Sequence, residues 1–136
     1  MPMNEQKRTL YIIDGNSYIY RAFYAVRGLT TSTGLPTNAV FGFANMLMRV
    51  FKELRPDYIA VAFDPKGPTR RHGEYAEYKA HRPPMPKDLV PQIPYIHRLV
   101  EAFRIPVFIR DGQEADDVIA TLCRRSRERN MDVVIV

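Results

Sequence analysis

The sequence has 136 residues, 46% hydrophobic and 26% charged, the size and composition of one globular domain with a real core. No apolar segment approaches the ~20 residues needed to span a bilayer, and the start, MPMNEQKRTL, lacks the apolar run of a signal peptide, so neither a membrane nor export is expected. Twenty Lys and Arg against fifteen Asp and Glu leave a formal net charge of +5, which fits a polyanionic partner such as nucleic acid.

In chain order, TLYIID (9–14) is a short apolar run ending in an acid and reads as a buried strand. GNSYIYRAFYA (15–25) then opens a helix, with Asn16 or Ser17 as N-cap. The Gly-, Pro- and Thr-rich stretch 26–37 is a loop. Residues 38–54 carry apolar side chains at helical spacing and predict a buried helix. DYIAVAFD (57–64) is a second apolar run ending in an acid. Residues 65–86 form a polar, basic segment, longer than a routine connection. Residues 87–103 are helical by spacing, with Pro91 tolerated in a first turn and Pro94 expected to kink the helix. IPVFI (105–109) is a third strand, EADDVIATLCRRSRER (114–129) a helix, and DVVIV (132–136) a fourth strand. The single cysteine, Cys123, has no partner for an internal disulfide and reads as a small core residue in a reducing cytoplasm.

Strands that are continuous apolar runs, alternating with helices, predict an α/β fold with a parallel sheet covered by helices on both faces. Ligands in such folds bind beyond the carboxyl ends of the strands. Asp14 ends the first strand, Asp64 ends the second, and Glu114, Asp116 and Asp117 open the helix after the third. All five carboxylates are therefore expected at one edge of one sheet.

Two readings of these acids stand side by side. Acids at a helix N-terminus interact favourably with its dipole, by about 0.3–1 kcal/mol each. Acids gathered in one cleft repel, and a divalent cation removes that penalty. Hard oxygen donors suit Mg²⁺ or Mn²⁺ and not zinc. Glu114 and Asp117, three apart, share a helix face, while Asp116 points elsewhere.

Other chemistries fit the sequence less well. There is no G-x-G-x-x-G and no Walker A loop. A haloacid-dehalogenase-type phosphatase needs an Asp where Asn16 stands. His72, His81 and His97 form no Ser–His–Asp pattern, and no Cys/His zinc spacing is present. The basic segment mixes Lys66, Arg70, Arg71, Lys79 and Arg82 with Tyr75 and Tyr78. Such cations neutralise phosphates and such rings stack on unpaired bases, although the same composition also describes a solvated loop.

YIIDGNSYIYRAFYA, AVAFDPKG, YKAHRPPMP and EADDVIATL together resemble the 5′ nuclease domain at the N-terminus of bacterial DNA polymerase I, in the flap endonuclease family. The resemblance covers about Leu10 to Val136, with the four segments in the family's order. It implies a PIN-like or resolvase-like nuclease core and a structure-specific DNA nuclease acting at 5′ ends and flaps. It implies two divalent ions, Mg²⁺ or Mn²⁺, held by acids matching Asp14, Asp64, Glu114, Asp116 and Asp117. By the same resemblance Lys79 and Arg82 are catalytic cations near the scissile phosphate. Tyr78 belongs to the arch around the 5′ strand, and Arg21 and Arg71 match family positions. With Lys66, Arg70 and Tyr75 they make the expected DNA-binding set. A monomer in the cytoplasm, associated with the nucleoid, is the implied setting.

Two departures are visible. Where the family often reads Arg-Asp-Glu-Leu, this sequence has Arg71, His72, Gly73 and Glu74. In the family a strand like DVVIV is followed by Thr-Gly-Asp-Lys-Asp, whose aspartates complete the metal cluster; here the sequence stops at Val136. The expectation is the N-terminal portion of a nuclease domain, incomplete at its C-terminus and weakly active or inactive alone. The alternatives are a free-standing 5′-3′ exonuclease, a PIN-like ribonuclease, and a DNA-binding module without chemistry.

Overall fold

The structure, a computed structural model, describes residues 7–65, 85–110 and 112–136. Four strands form one parallel sheet: β1 (Thr9–Asp14), β2 (Tyr58–Ala62), β3 (Val107–Phe108) and β4 (Asp132–Ile135). Their order across the sheet is β3-β2-β1-β4, so β1 and β2 are central. The registers pair Ile13 with Val61, Asp14 with Ala62, and Ile12 with both Ala60 and Ile135. The resolvase-like α/β expectation holds.

Period-two alternation sends neighbouring side chains of β1 to opposite faces. Ile13 and Val61 face a core shared with α1 (Gly15–Ala25), α2 (Asn38–Arg49) and α3 (Ile93–Ala102), through Ile19, Phe43, Leu47, Ile96 and Val100. Ile12 and Ala62 face the other way, onto Ala115, Val118 and Ile119 of α4 (Ala115–Glu128). Among the described residues, α1, α2 and α3 cover one face and α4 the other. Cys123 packs at the margin of the α4 core. Among the described residues, no helix is long and apolar enough to cross a membrane.

Several boundaries differ from those read in the sequence. The helix predicted over 38–54 is α-helical only to Arg49; Val50–Leu54 widen into a π-turn that ends at Arg55 in the left-handed region. The helix predicted over 87–103 is a 3₁₀ turn at Val90–Gln92 followed by α3. Pro94 causes no kink in mid-helix, because α3 starts at Ile93 and Pro94 lies in its first turn, where no N–H is required. β3 is two residues long instead of five, since only Val107 and Phe108 pair with β2.

Where α1 crosses α2, Gly42 sits against Ala22: a Cβ on Gly42 would lie 2.9 Å from the Ala22 Cβ and 3.0 Å from its carbonyl oxygen. Gly42→Val is therefore expected to lower stability by about 1–3 kcal/mol, the usual cost of overpacking. Urea denaturation checks this, and an unchanged midpoint would show that the crossing tolerates separation.

A buried polar knot ties the helical layer together. The Gln92 amide oxygen accepts from the N–H groups of Ala39 (2.8 Å) and Val40 (3.1 Å), and its nitrogen donates to Asn38 Oδ1 and the Asp88 carbonyl, both at 2.8 Å. Asn38 Nδ2 in turn donates to the carbonyls of Phe23 (2.9 Å) and Val26 (2.8 Å).

Candidate metal centre

The carboxyl ends of β1 and β2 and the start of α4 meet at one rim, stitched by side chains. β1 ends at Asp14, whose backbone is extended and whose carboxylate caps α1. One oxygen accepts from the Ser17 N–H (3.3 Å) and the other from the Ser17 hydroxyl (2.9 Å). Asp14 itself is thus the N-cap, not Asn16 or Ser17, because the strand runs directly into the helix. Gly15 makes the turn possible: a Cβ there would lie 2.8 Å from the Ala62 carbonyl oxygen and inside the Phe63 ring.

Asn16 Oδ1 accepts from the Asp64 N–H at 2.8 Å. Asp64 Oδ1 accepts from the Ala115 N–H at 2.6 Å, so Asp64 caps a helix that lies 51 positions away in sequence. Glu114, the N-cap residue of α4, is 5% exposed although ionisable. Its backbone N–H donates to Asp117 Oδ2 at 3.3 Å, the reciprocal half of a capping box. Asp14, Asp64 and Asp117 are half-buried, while Asp116 is exposed in the first turn of α4. Hydrogen bonds therefore link Asp64 to Asn16 and to Ala115, and Glu114 to Asp117, while Asn16 follows Asp14 by two residues and Ala115 follows Glu114 directly along the chain. Asp116 stands on the same turn but faces outward.

The capping reading of the acids is seen directly in the hydrogen bonds. They cap helices, and they share a rim. All the donors there are carboxylate oxygens, the hard set that Mg²⁺ or Mn²⁺ takes. Among the described residues no three His, Cys, Asp or Glu side chains group closely enough to hold one ion. Mg²⁺ is commonly held by one or two carboxylates with water and substrate phosphate completing its shell, so the donor chemistry fits.

Arg21 lies away from the carboxylates, on an open groove between α1 and α2 of about 440 Å³, lined also by Tyr18, Met46, Arg49 and Val136. The groove borders the rim at Val136, whose carbonyl accepts from the Asp14 N–H (3.4 Å). Arg21 stacks over the Tyr18 ring, 5.6 Å from its centroid. Burial raises the Tyr18 hydroxyl above its ordinary pKa, with the Arg21 charge pulling it down. Lys66, Arg70, Arg71, Tyr75, Tyr78, Lys79 and Arg82 lie outside the described residues. Sequence reasoning missed the bridging role of Asn16 and the second cation of the groove, Arg49. The D-x-N spacing at 14–16 was the available signal for the first; helical periodicity carried none for the second.

Comparison with known proteins agrees with this architecture. The chain is 49% identical over 127 residues to DNA polymerase I of Caldicellulosiruptor bescii, covering 93% of this chain and 15% of that protein. It is 44% identical over 128 residues to a 5′-3′ exonuclease of Aquifex aeolicus, covering 94% of this chain and 44% of that one. The chain thus spans less than half the length of these relatives. Among solved structures it shares its fold with the bacteriophage T5 5′-exonuclease bound to zinc (TM-score 0.61, 21% identity, 94% of this chain and 48% of that one). The T5 flap endonuclease in a pseudo-enzyme-product complex with DNA and metal ions matches with TM-score 0.59, at 22% identity over 94% of this chain and 48% of that one. The family described as 5′-3′ exonuclease, N-terminal resolvase-like domain, matches residues 9–136, and to that family the chain belongs.

Proposed function

We propose that this chain is the N-terminal portion of a metal-dependent 5′ nuclease domain that hydrolyses DNA phosphodiester bonds at 5′ ends and 5′ flaps. Its setting is DNA polymerase I or a free-standing 5′-3′ exonuclease. The observation that carries the reading is the rim itself, where Asp14, Asp64 and the Glu114–Asp117 turn are tied together at the carboxyl edge of a parallel sheet. The family membership and the T5 nuclease structures holding DNA and metal ions support it.

In this reading Asp14, Asp64, Glu114 and Asp117 hold two divalent ions, with Asp116 beside them, and acids from the remainder of the intact domain complete the set. When bound, such ions lower the pKa of an attacking water and stabilise the leaving 3′ oxygen. Asp14 and Asp64 keep their positions because each caps a helix. Lys79 and Arg82 neutralise charge on the scissile phosphate. Lys66, Arg70 and Arg71 hold the backbone, and Tyr75 and Tyr78 stack on unpaired bases. Arg21, with Arg49, offers positive charge along the groove beside Val136. The products carry 5′-phosphate and 3′-hydroxyl ends, and the protein works as a cytoplasmic monomer.

The test is cleavage of a 5′-flap duplex with Mg²⁺ by the intact nuclease that contains these residues. Asp14→Ala is expected to abolish it, and chelation to do the same. Full activity in the variant would refute the site. Salt-sensitive DNA binding with no metal-dependent rate would favour a module without chemistry.

A further inference from the structure

We infer that Asn16 is a positioning residue for the metal-site acids, holding Asp64 in place relative to Asp14. The inference rests on the reading of the rim as a divalent-cation site.

The argument begins with the end of the sheet. The β1–β2 ladder runs out at the pair Asp14–Ala62, because at Gly15 the chain leaves β1 and enters α1. The chain runs on past the end of β2 through Phe63 and Asp64. On its β3 side, the Phe63 N–H still finds a main-chain acceptor, the Phe108 carbonyl, at 3.1 Å. On its β1 side, the Asp64 N–H has lost the carbonyl a longer β1 would supply. Asn16 Oδ1 takes that place at 2.8 Å. A side-chain amide thus extends the ladder by one rung, at the residue whose carboxylate the site uses.

The choice of amide has a chemical reason. The position needs an acceptor between two carboxylates, and Asn supplies one without a third negative charge. Alanine would leave the half-buried N–H of Asp64 without its partner. The strand end would then be free to shift, and Asp64 Oδ1 would drag on the first N–H of α4, to which it is bonded at 2.6 Å. The Glu114–Asp117 turn stands on that helix end. One side chain therefore links all three acid-bearing segments.

The experiment is Mn²⁺ titration of the intact nuclease that contains these residues, following free Mn²⁺ by electron paramagnetic resonance, with amide exchange at Asp64 followed by NMR. Asn16→Ala is expected to weaken Mn²⁺ binding roughly 10-fold, the low end for residues that orient metal ligands, and to speed exchange at the Asp64 amide while the far-UV circular dichroism stays that of the wild type. Asn16→Asp keeps an acceptor oxygen and is expected to restore Asp64 amide protection, the readout that its added charge does not supply directly. Wild-type affinity in a folded Asn16→Ala nuclease overturns the inference alone. An Asp64 amide that exchanges as fast in Asn16→Asp as in Asn16→Ala overturns it too. So does loss of the folded spectrum in both Asn16→Ala and Asn16→Ser, which would make Asn16 a general structural residue. If the wild-type intact nuclease itself shows no saturable Mn²⁺ binding, the metal-site reading falls and this inference with it.

Discussion

Gln92→Leu is expected to lower the unfolding free energy by about 3 kcal/mol, one of the largest losses available to a single side chain of similar volume here. Gln92 is fully buried and makes four hydrogen bonds, of which those with the Ala39 N–H and Asn38 Oδ1 are themselves buried. Thr37, the N-cap residue of α2, makes no side-chain cap bond. The job falls to Gln92, whose oxygen receives two of the helix's first N–H groups from more than fifty positions away. Leucine fills the space and offers no acceptor, and each buried group left unsatisfied costs about 1–3 kcal/mol. Asn38 cannot compensate by rotating its amide, since its nitrogen is committed to the Phe23 and Val26 carbonyls. Urea denaturation followed by circular dichroism measures the change. A loss under about 1 kcal/mol would mean that the α2 terminus finds another partner.

Asp64→Ala and Asp64→Asn are expected to separate two duties of one carboxylate. Alanine removes both the cap on α4 and the charge at the rim. It is expected to cost about 1 kcal/mol of stability, the usual penalty for a lost N-cap. In the intact nuclease it is also expected to cut Mg²⁺-dependent flap cleavage by about 100-fold or more, equivalent to about 3 kcal/mol of transition-state stabilisation. Asparagine keeps an oxygen for the Ala115 N–H. Its stability is expected to stay near the wild type while its activity falls with that of alanine. Activity retained in Asp64→Asn would show that the carboxylate acts only as a cap. Thermal melts and single-turnover cleavage, run on the same preparations, give the two readings.

Much of the fold was legible because its signals are local. Apolar runs of strand length, each followed by helical periodicity, sufficed for the parallel sheet and for the edge at which Asp14, Asp64 and the Glu114–Asp117 turn gather. The details that escaped depend on long-range partners or on geometry between elements. Asn16 and Ser17 are ordinary capping residues, yet the strand-to-helix turn at Gly15 brings Asp14 into that role first. The proline at 94 suggested a kink only because the boundary of α3 was placed too early; the 3₁₀ turn absorbs Pro91 and lets α3 begin beside Pro94. Gln92 read as one polar residue in a helix, since nothing in its own neighbourhood reveals the bare terminus of α2 that it serves. Asp116 is exposed, as the spacing of the three acids implied when it set Glu114 and Asp117 on one helix face and Asp116 off it. β3 proved short because, at an edge, only residues opposite a partner join the ladder.

The order of strands also bears on how the chain is made. β1 leaves the ribosome before the other three strands, yet one of its two neighbours is β4: Thr9 pairs with Asp132 and Ile12 with Ile135. At translation speeds of about 5–20 residues per second, the nascent β1 waits several seconds for that partner, with the N–H and C=O groups of one flank unpaired. Contacts this distant along the chain also slow folding from the denatured state, because loop closure precedes the reward of pairing. The period of greatest vulnerability to aggregation is thus the interval between the second strand and the fourth, when the sheet has a centre but only one side.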